Sequence, residues 1–431
     1  MKKFALENTL EDWQNYIANI GEAKYRATQI AEWLWKKHAT SADEMTNLSK
    51  TLRERLDEDF DFSYPEVLLA QKSKDGTRKF LLKLQDGETV EMVLMKYGDR
   101  LTLCLSTQVG CPLGCTFCAT GASGFARNLT AGEIASQFLL AEKIASRDLS
   151  NVVYMGMGEP FLNTDEVLKS IRLLNHEKLR GFGIRHFTIS TSGIIKGIEA
   201  LCDSSLPVRL ALSLHAADNE LRSFLMPVNE TNPLPELRKA LLNYQEKTKD
   251  RISFEYVLLG EVNDTIERAR ELVHFLRGIH SFVNLIPYNS TGGRYKAPTS
   301  EAVLRFKSVL ETAGFETEIR SSMGQDIDAA CGQLKRKIAG GEAEKIADSY
   351  TKTDAVLHAS MLHDEANIER YERKAKLLEK KLIAKIAKKT TTGGFTDKFR
   401  RKKDSRAPKQ KFFSNSKVKK QKYHSKSLKE K

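Results

Sequence analysis

The chain has 431 residues, 41% of them hydrophobic, which excludes a wholly disordered protein and suffices for one large domain or two to three ordinary ones. No apolar run reaches about 18 residues, so no membrane span is expected. Glu7, Glu11 and Asp12 stand where a signal peptide needs its apolar core, so a cytoplasmic location is expected. The net charge of +13 sits almost wholly in residues 390–431, with 15 Lys/Arg against 3 Asp/Glu; the rest of the chain is nearly neutral.

Residues 1–64 read as a small helical accessory domain. Thr9 with Asp12 has the form of a capping box, and YRATQIAEWLWKKH places apolar residues at helical spacing. From 65 to 107 the period shortens. EVLLAQKS, TRKFLLKLQDG, TVEMVLMKY and LTLCLSTQ read as strands, with Asp75-Gly76 and Asp86-Gly87 as turns, so 65–100 forms a β-rich connection between the helical domain and the alternating segment beyond residue 100. From 101 strand and helix alternate. Strands are predicted at 101–107, 151–156, 185–191, 208–214, 252–259 and 282–287, and helices at 131–146, 164–175, 235–247, 264–278 and 300–313. With a last strand at 315–320, six βα units predict an α/β fold over 101–340, either an open barrel or a doubly wound sheet. Chemistry in such folds sits at the carboxyl ends of the strands. Residues 341–389 read as a charged helical extension, and 390–431, poor in aliphatics and rich in Lys, Ser and Gly, as a basic tail disordered without a partner. There is no internal repeat.

Six cysteines are present, and Cys104, Cys111, Cys115 and Cys118 fall within 15 residues while Cys202 and Cys331 stand alone. Such clustering points to metal ligation or thiol chemistry rather than a disulfide framework. Cys111-Pro-Leu-Gly-Cys115-Thr-Phe-Cys118 lies in a loop between the 101–107 strand and a helix that opens with a second capping box, Thr130-Ala-Gly-Glu133. Three thiolates in one short loop can hold three irons of a [4Fe–4S] cluster and leave the fourth open for a ligand. A zinc loop is the alternative, although zinc usually takes paired C-x2-C elements with a fourth ligand close by. Met155-Gly-Met-Gly-Glu159-Pro ends the next strand, where glycine lets the backbone approach a ligand and a carboxylate can hold an ammonium group. Ser190, Ser213-Leu214-His215 and Asn289 end three later strands and are candidates for binding the polar groups of a cofactor; helix caps and a satisfied core histidine are the plainer readings. Cys331, in Gly324-Gln-Asp-Ile-Asp-Ala-Ala-Cys331-Gly, has the setting of a nucleophilic thiol, against the plainer reading of an inert buried one.

The C-x3-C-x2-C spacing resembles the radical S-adenosylmethionine (SAM) superfamily. Together with MGMGEP, GFARNLT at 124–130, Cys104 and the string around Cys331, residues from about 20 to about 336 closely resemble the RlmN/Cfr family of radical SAM RNA methyltransferases. The resemblance implies a partial (β/α)6 radical SAM barrel. It implies a [4Fe–4S] cluster on Cys111, Cys115 and Cys118, and SAM bound through Gly158, Glu159, Ser190, Ser213, Leu214, His215 and Asn289. It further implies that Cys331 is methylated by one SAM. A second SAM, split into methionine and a 5′-deoxyadenosyl radical, then activates that methyl group for addition to an adenine ring. Cys104 is implied to resolve the adduct through a transient disulfide, and Glu91, 13 residues before it, to accept a proton. Cys202 has no counterpart in this scheme and is expected in the core.

The chemical reason for such a route is general. A ring carbon of adenine bound to hydrogen is electrophilic, so a methyl cation equivalent finds no nucleophile there, whereas a carbon radical can add; the cofactor carries that difficulty. RlmN-type members methylate carbon 2 of an adenosine in 23S rRNA and of the tRNA adenosine beside the anticodon, and Cfr-type members carbon 8 of the same rRNA adenosine. The residues Arg127-Asn-Leu-Thr130 and Glu159-Pro160 favour the first group. A radical SAM enzyme with a non-RNA substrate, and a non-enzymatic RNA-binding assembly factor with a structural cluster, are the other readings. The resemblance implies a flavodoxin-type electron donor and a monomer. The tail, with Phe395, Phe399, Phe412, Phe413 and Tyr423 among its cations, departs from the family pattern and suits phosphate contact and base stacking, or is a solvated arm.

Overall fold

The computed structural model describes residues 2–289, 295–321, 323–330 and 332–334. Cys331, the predicted extension 341–389 and the basic tail lie outside the described residues.

The N-terminal part is helical, as its periodicity predicts. Helices α1 (Leu10–Asn19), α2 (Tyr25–Trp35) and α3 (Lys50–Asp59) are joined by a short parallel pair, β1 (Lys3–Phe4) with β2 (Phe60–Asp61). The Thr9 hydroxyl accepts from Asp12 N at 3.1 Å and Asp12 Oδ2 accepts from Thr9 N at 2.9 Å, so the predicted capping box is formed. Trp13 and Trp35 are fully buried, Trp13 lying 4.6 Å from the Phe60 ring. A carboxylate from this part reaches the next: Glu7 Oε1 accepts from Gly132 N at 2.9 Å.

Among the described residues the main sheet has ten strands in the order β14-β13-β12-β11-β10-β9-β6-β5-β4-β3. Its first part, β3 (Glu66–Lys72), β4 (Arg78–Lys83), β5 (Thr89–Tyr97) and β6 (Arg100–Cys104), is an antiparallel meander. The β-rich stretch 65–100 joins the central sheet at its edge, because β5 pairs directly with β6 from Tyr97↔Arg100 to Val93↔Cys104. The remainder is parallel: β9 (Asn151–Tyr154), β10 (Phe187–Thr191), β11 (Arg209–Ser213), β12 (Ile252–Leu258), β13 (Ser281–Pro287) and β14 (Thr317–Ile319). Each strand lies beside the next in sequence. A doubly wound sheet reverses order at a switch point; a run that never reverses is the open barrel.

Helices link the parallel strands: α5 (Ala131–Ala145), α6 (Thr164–Asn175), α7 (Ile195–Asp203), α9 (Leu234–Thr248), α10 (Ile266–Leu276) and α11 (Ser300–Thr312). Their ends fall within three residues of those predicted; for α7 the sequence predicts a helix around Cys202 without bounds, and Cys202 on it does pack against the core. Unpredicted are the ribbon of β7 (Gln108–Gly110) with β8 (Phe125–Asn128), the one-turn α4 (Ala119–Ala122) and α8 (Asn219–Leu225). All three are too short to show a period. Among the described residues no helix is long and apolar enough to cross a membrane.

Candidate active site

The carboxyl ends of the parallel strands open into one cavity. The β7–β8 ribbon carries the cysteine loop over it: Cys111 N donates to Gly124 O at 2.9 Å, Cys118 N to Cys115 O at 3.1 Å and Ala122 N to Cys118 O at 3.1 Å. Cys111, Cys115 and Cys118 line the cavity with Gly158, Glu159, Ser190, Ser213, His215 and Asn289. Residues 111 to 289 of the chain are thereby brought to one place.

Glu159 is 2% exposed, and its carboxylate is held from three directions. Oε1 accepts from the Thr191 hydroxyl at 2.7 Å and from Phe161 N at 3.0 Å, and Oε2 accepts from Ser192 N at 2.7 Å. Burial nonetheless pushes this carboxyl above its ordinary range. The Ser190 and Ser213 hydroxyls are 3.3 Å apart. His215, in the left-handed backbone region at φ 58°, accepts from Val257 N at Nδ1 (3.0 Å), so its neutral ring carries the proton on Nε2. Burial, then the nearby Arg222 guanidinium, pulls this imidazole down to about 3. Asn289 Oδ1 accepts from Gln325 Nε2 at 2.6 Å.

Leu214 differs from its neighbours: its side chain is fully buried in the core and does not line the cavity, while its N–H donates to Glu255 O and its carbonyl accepts from Arg222 Nε. Arg222 is not among the residues the sequence marks as candidates. Fully buried, it donates to Asn229 Oδ1 at 2.8 Å and to Ser192 O at 2.6 Å, tying the loops after β10 and β11 together, and burial pulls its guanidinium down to about 10. An arginine in a helical stretch carries no sequence mark of such a role.

The three thiols fit an iron–sulfur cluster. Burial pushes Cys111 up to about 12 and Cys115 higher still, and the neighbouring thiols and Glu159 add to both. Sulfurs in that setting ionise only against positive charge held among them. Among the described residues no three His, Cys, Asp or Glu side chains converge as ligands of a single ion. The remaining lining, a carboxylate, hydroxyls and an imidazole beside Leu113, Phe117, Met226 and Val257, suits a ligand with an ammonium group, a sugar and a flat base.

A second cavity adjoins the first, sharing Cys118, Thr120, Met155, Asn289 and Arg320 and adding Val93, Met95 and Cys104. Ala330 and Gly332, the chain neighbours of Cys331, line it too. Their segment is bonded to the cysteine loop: Ala119 N donates to Gly332 O at 2.8 Å and the Thr120 hydroxyl to Leu334 O at 2.6 Å. Glu91 lines neither cavity. It is 2% exposed on the face of β5 that also carries Val93 and Met95, and its carboxylate lies 3.4 Å from Lys79 Nζ.

An open barrel of parallel strands with a three-cysteine loop over its carboxyl end is the architecture of a radical SAM enzyme. The chain matches the Radical SAM superfamily over residues 105–273 and the Ribosomal RNA large subunit methyltransferase N-terminal domain over 6–61. It is 49% identical over 340 residues to the probable dual-specificity RNA methyltransferase RlmN of Thermotoga neapolitana, covering 78% of this chain and 99% of that one. To the protein of the same description from Staphylococcus aureus it is 46% identical over 331 residues, 76% of this chain and 91% of the relative. A radical SAM methyltransferase from Sphaerobacter thermophilus superposes with a TM-score of 0.75 at 42% identity, covering 77% of this chain and 99% of that structure. The chain belongs to the RlmN family of dual-specificity radical SAM RNA methyltransferases, whose cofactors are a [4Fe–4S] cluster and SAM.

Proposed function

We propose that this chain methylates carbon 2 of an adenosine in 23S rRNA and of the tRNA adenosine 3′ to the anticodon. The carbon is carried on Cys331, and each cycle closes with a transient disulfide to Cys104. The observation that carries this reading is the second cavity, where Cys104 faces the chain neighbours of Cys331 beside the cluster loop.

Cys111, Cys115 and Cys118 hold three irons; Gly158, Glu159, Ser190, Ser213, His215 and Asn289 hold SAM, with the Glu159 carboxylate toward its amine. When bound, the cluster and SAM supply a carbon radical able to take a hydrogen atom from a methyl group. Two molecules of SAM serve each turnover. Cys331 presents the methyl-derived carbon to the adenine; once the new carbon–carbon bond has formed, the ring carbon loses its proton to Glu91, and the odd electron of the adduct would be taken by the one-electron couple that the cluster supplies. The Cys104 thiolate then attacks the Cys331 sulfur. The S–C bond breaks, its electrons stay on the carbon, that carbon takes up a proton to become the new methyl group, and a Cys104–Cys331 disulfide remains. Its reduction needs an external thiol or dithiol. The largely apolar lining of the cavity limits water at the reactive carbon.

The helices of residues 1–64 grip structured RNA while the target base is splayed into the barrel. The basic tail adds salt-sensitive affinity with little sequence choice. A flavodoxin-type protein supplies electrons, and the enzyme works as a monomer in the cytoplasm, where its RNA substrates are. Nucleoside analysis of RNA from cells with and without the gene tests the central point: 2-methyladenosine should vanish from rRNA and tRNA together. Loss of 8-methyladenosine instead, or no change, overturns it.

A further inference from the structure

Lys79 is 6% exposed and Glu91 2%, values seldom reached by either residue type. Strand register explains how they meet. Lys79 on β4 stands opposite Val93 on β5, and Val93 opposite Cys104 on β6, so Lys79, Val93 and Cys104 form a row across one face. Glu91 lies two residues along β5 on that face, with Lys79 Nζ 3.4 Å from its Oε1. The same ammonium donates to the Asp328 carbonyl at 3.1 Å, in the loop that leads to Cys331. The β3–β4 turn clamps this loop further: Gly324 N donates to Asp75 Oδ2 at 2.7 Å, and Lys74 N to Asp326 Oδ2 at 3.2 Å. The Glu91 backbone is fixed independently, its N–H on the Met157 sulfur at 3.3 Å and its carbonyl accepting from the Ser106 hydroxyl at 2.6 Å. Of the other charged groups around the row, Arg320 is paired with Glu255 at 3.6 Å, and Asp75 and Asp326 accept the backbone bonds just named.

A buried ion pair adds little net stability, whereas it does fix the positions of both partners. We propose that Lys79 is a positioning residue for the proton-accepting step: one ammonium registers the Glu91 carboxylate against the loop that bears Cys331, so that acceptor and carbon carrier are presented to the adenine together. This rests on the reading that Glu91 accepts the ring proton, and it assigns Lys79 no proton transfer of its own.

The test uses the full chain with its cluster reconstituted anaerobically, a tRNA substrate, and the variants Lys79→Met, Lys79→Arg and Glu91→Gln. Lys79→Met should keep the methyl group on Cys331 by mass spectrometry. Its kcat should fall by about tenfold or more with the KM for RNA little changed, and covalent protein–RNA adduct should accumulate. Lys79→Arg should recover most of the rate. Should Lys79→Met not fold, Lys79→Gln, which keeps a donor for the Asp328 carbonyl but no charge, is read the same way. Unchanged turnover, Cys331 methylation falling in step with kcat, or an arginine variant no better than the methionine one would each overturn the assignment. If Glu91→Gln itself turns over normally without adduct, the reading of Glu91 fails instead, and the two failures are distinguishable.

Discussion

The Gly158→Ala substitution places one methyl group at the point where the cofactor loop touches the cysteine ribbon. Gly158 has φ +105°, a region where an L side chain costs about 1–3 kcal/mol. A Cβ there meets Gln108 Cβ at 2.6 Å, Cγ at 2.7 Å and N at 2.9 Å, an overlap worth a further ~1–3 kcal/mol. Gly76, at φ +88° in the β3–β4 turn, has nothing within 4 Å of its Cβ position, so Gly76→Ala carries the backbone cost alone. The difference between the two variants in urea unfolding therefore isolates the clash, at about 1–3 kcal/mol. Relief of that clash moves Gln108, whose Oε1 accepts from Glu159 N at 2.8 Å and whose Nε2 donates to Asn128 at 2.8 Å. Glu159 moves with it and, on the proposed function, loses its aim at the ammonium group of SAM, a charged hydrogen bond worth about 1.5–3 kcal/mol. SAM affinity of the cluster-loaded protein, measured by anaerobic equilibrium dialysis, should weaken roughly 10- to 100-fold in Gly158→Ala and not at all in Gly76→Ala. Equal SAM affinity in both variants, with equal loss of stability, would refute the reasoning.

His215 sets an acid limit on stability. Its folded value near 3 against an ordinary 6.5 means that, between these pH values, the unfolded chain binds a proton that the folded one does not. The contribution is complete above pH 6.5 and is lost as pH falls. His215→Asn, which keeps an acceptor for Val257 N–H, should lose about 1–2 kcal/mol less than the wild type between pH 6.5 and 5.0 in denaturant titrations, and parallel curves would exclude the effect. Cys104→Ala removes the resolving sulfur, so protein covalently joined to RNA should build up on denaturing gels; free RNA with normal turnover would contradict the role given to Cys104.

Much of the architecture is visible in local pattern. Alternating apolar residues with Asp-Gly turns at 75–76 and 86–87 mark the meander, and helical periods mark the crossovers, because each signal needs only neighbours in sequence. The cysteine spacing and MGMGEP are equally local, since one loop carries the three cysteines and one strand end presents the carboxylate. Leu214 shows the limit of that reasoning: between two cavity-lining residues on a strand end, its side chain turns to the opposite side and joins the core. Arg222 and Thr191 show the converse, residues of ordinary appearance that acquire a task from what folds against them.

Residue chemistry and spacing alone thus singled out the cysteine triad, the cofactor class and the strand–helix alternation. Only the tertiary structure decided that the sheet is an open barrel continuous with the meander, that Cys104 faces the neighbours of Cys331 across a shared cavity, and that Lys79 meets both Glu91 and the Asp328 carbonyl. The reason is that strand register and loop docking bring together residues up to about 250 positions apart, and no local period records which of them will touch.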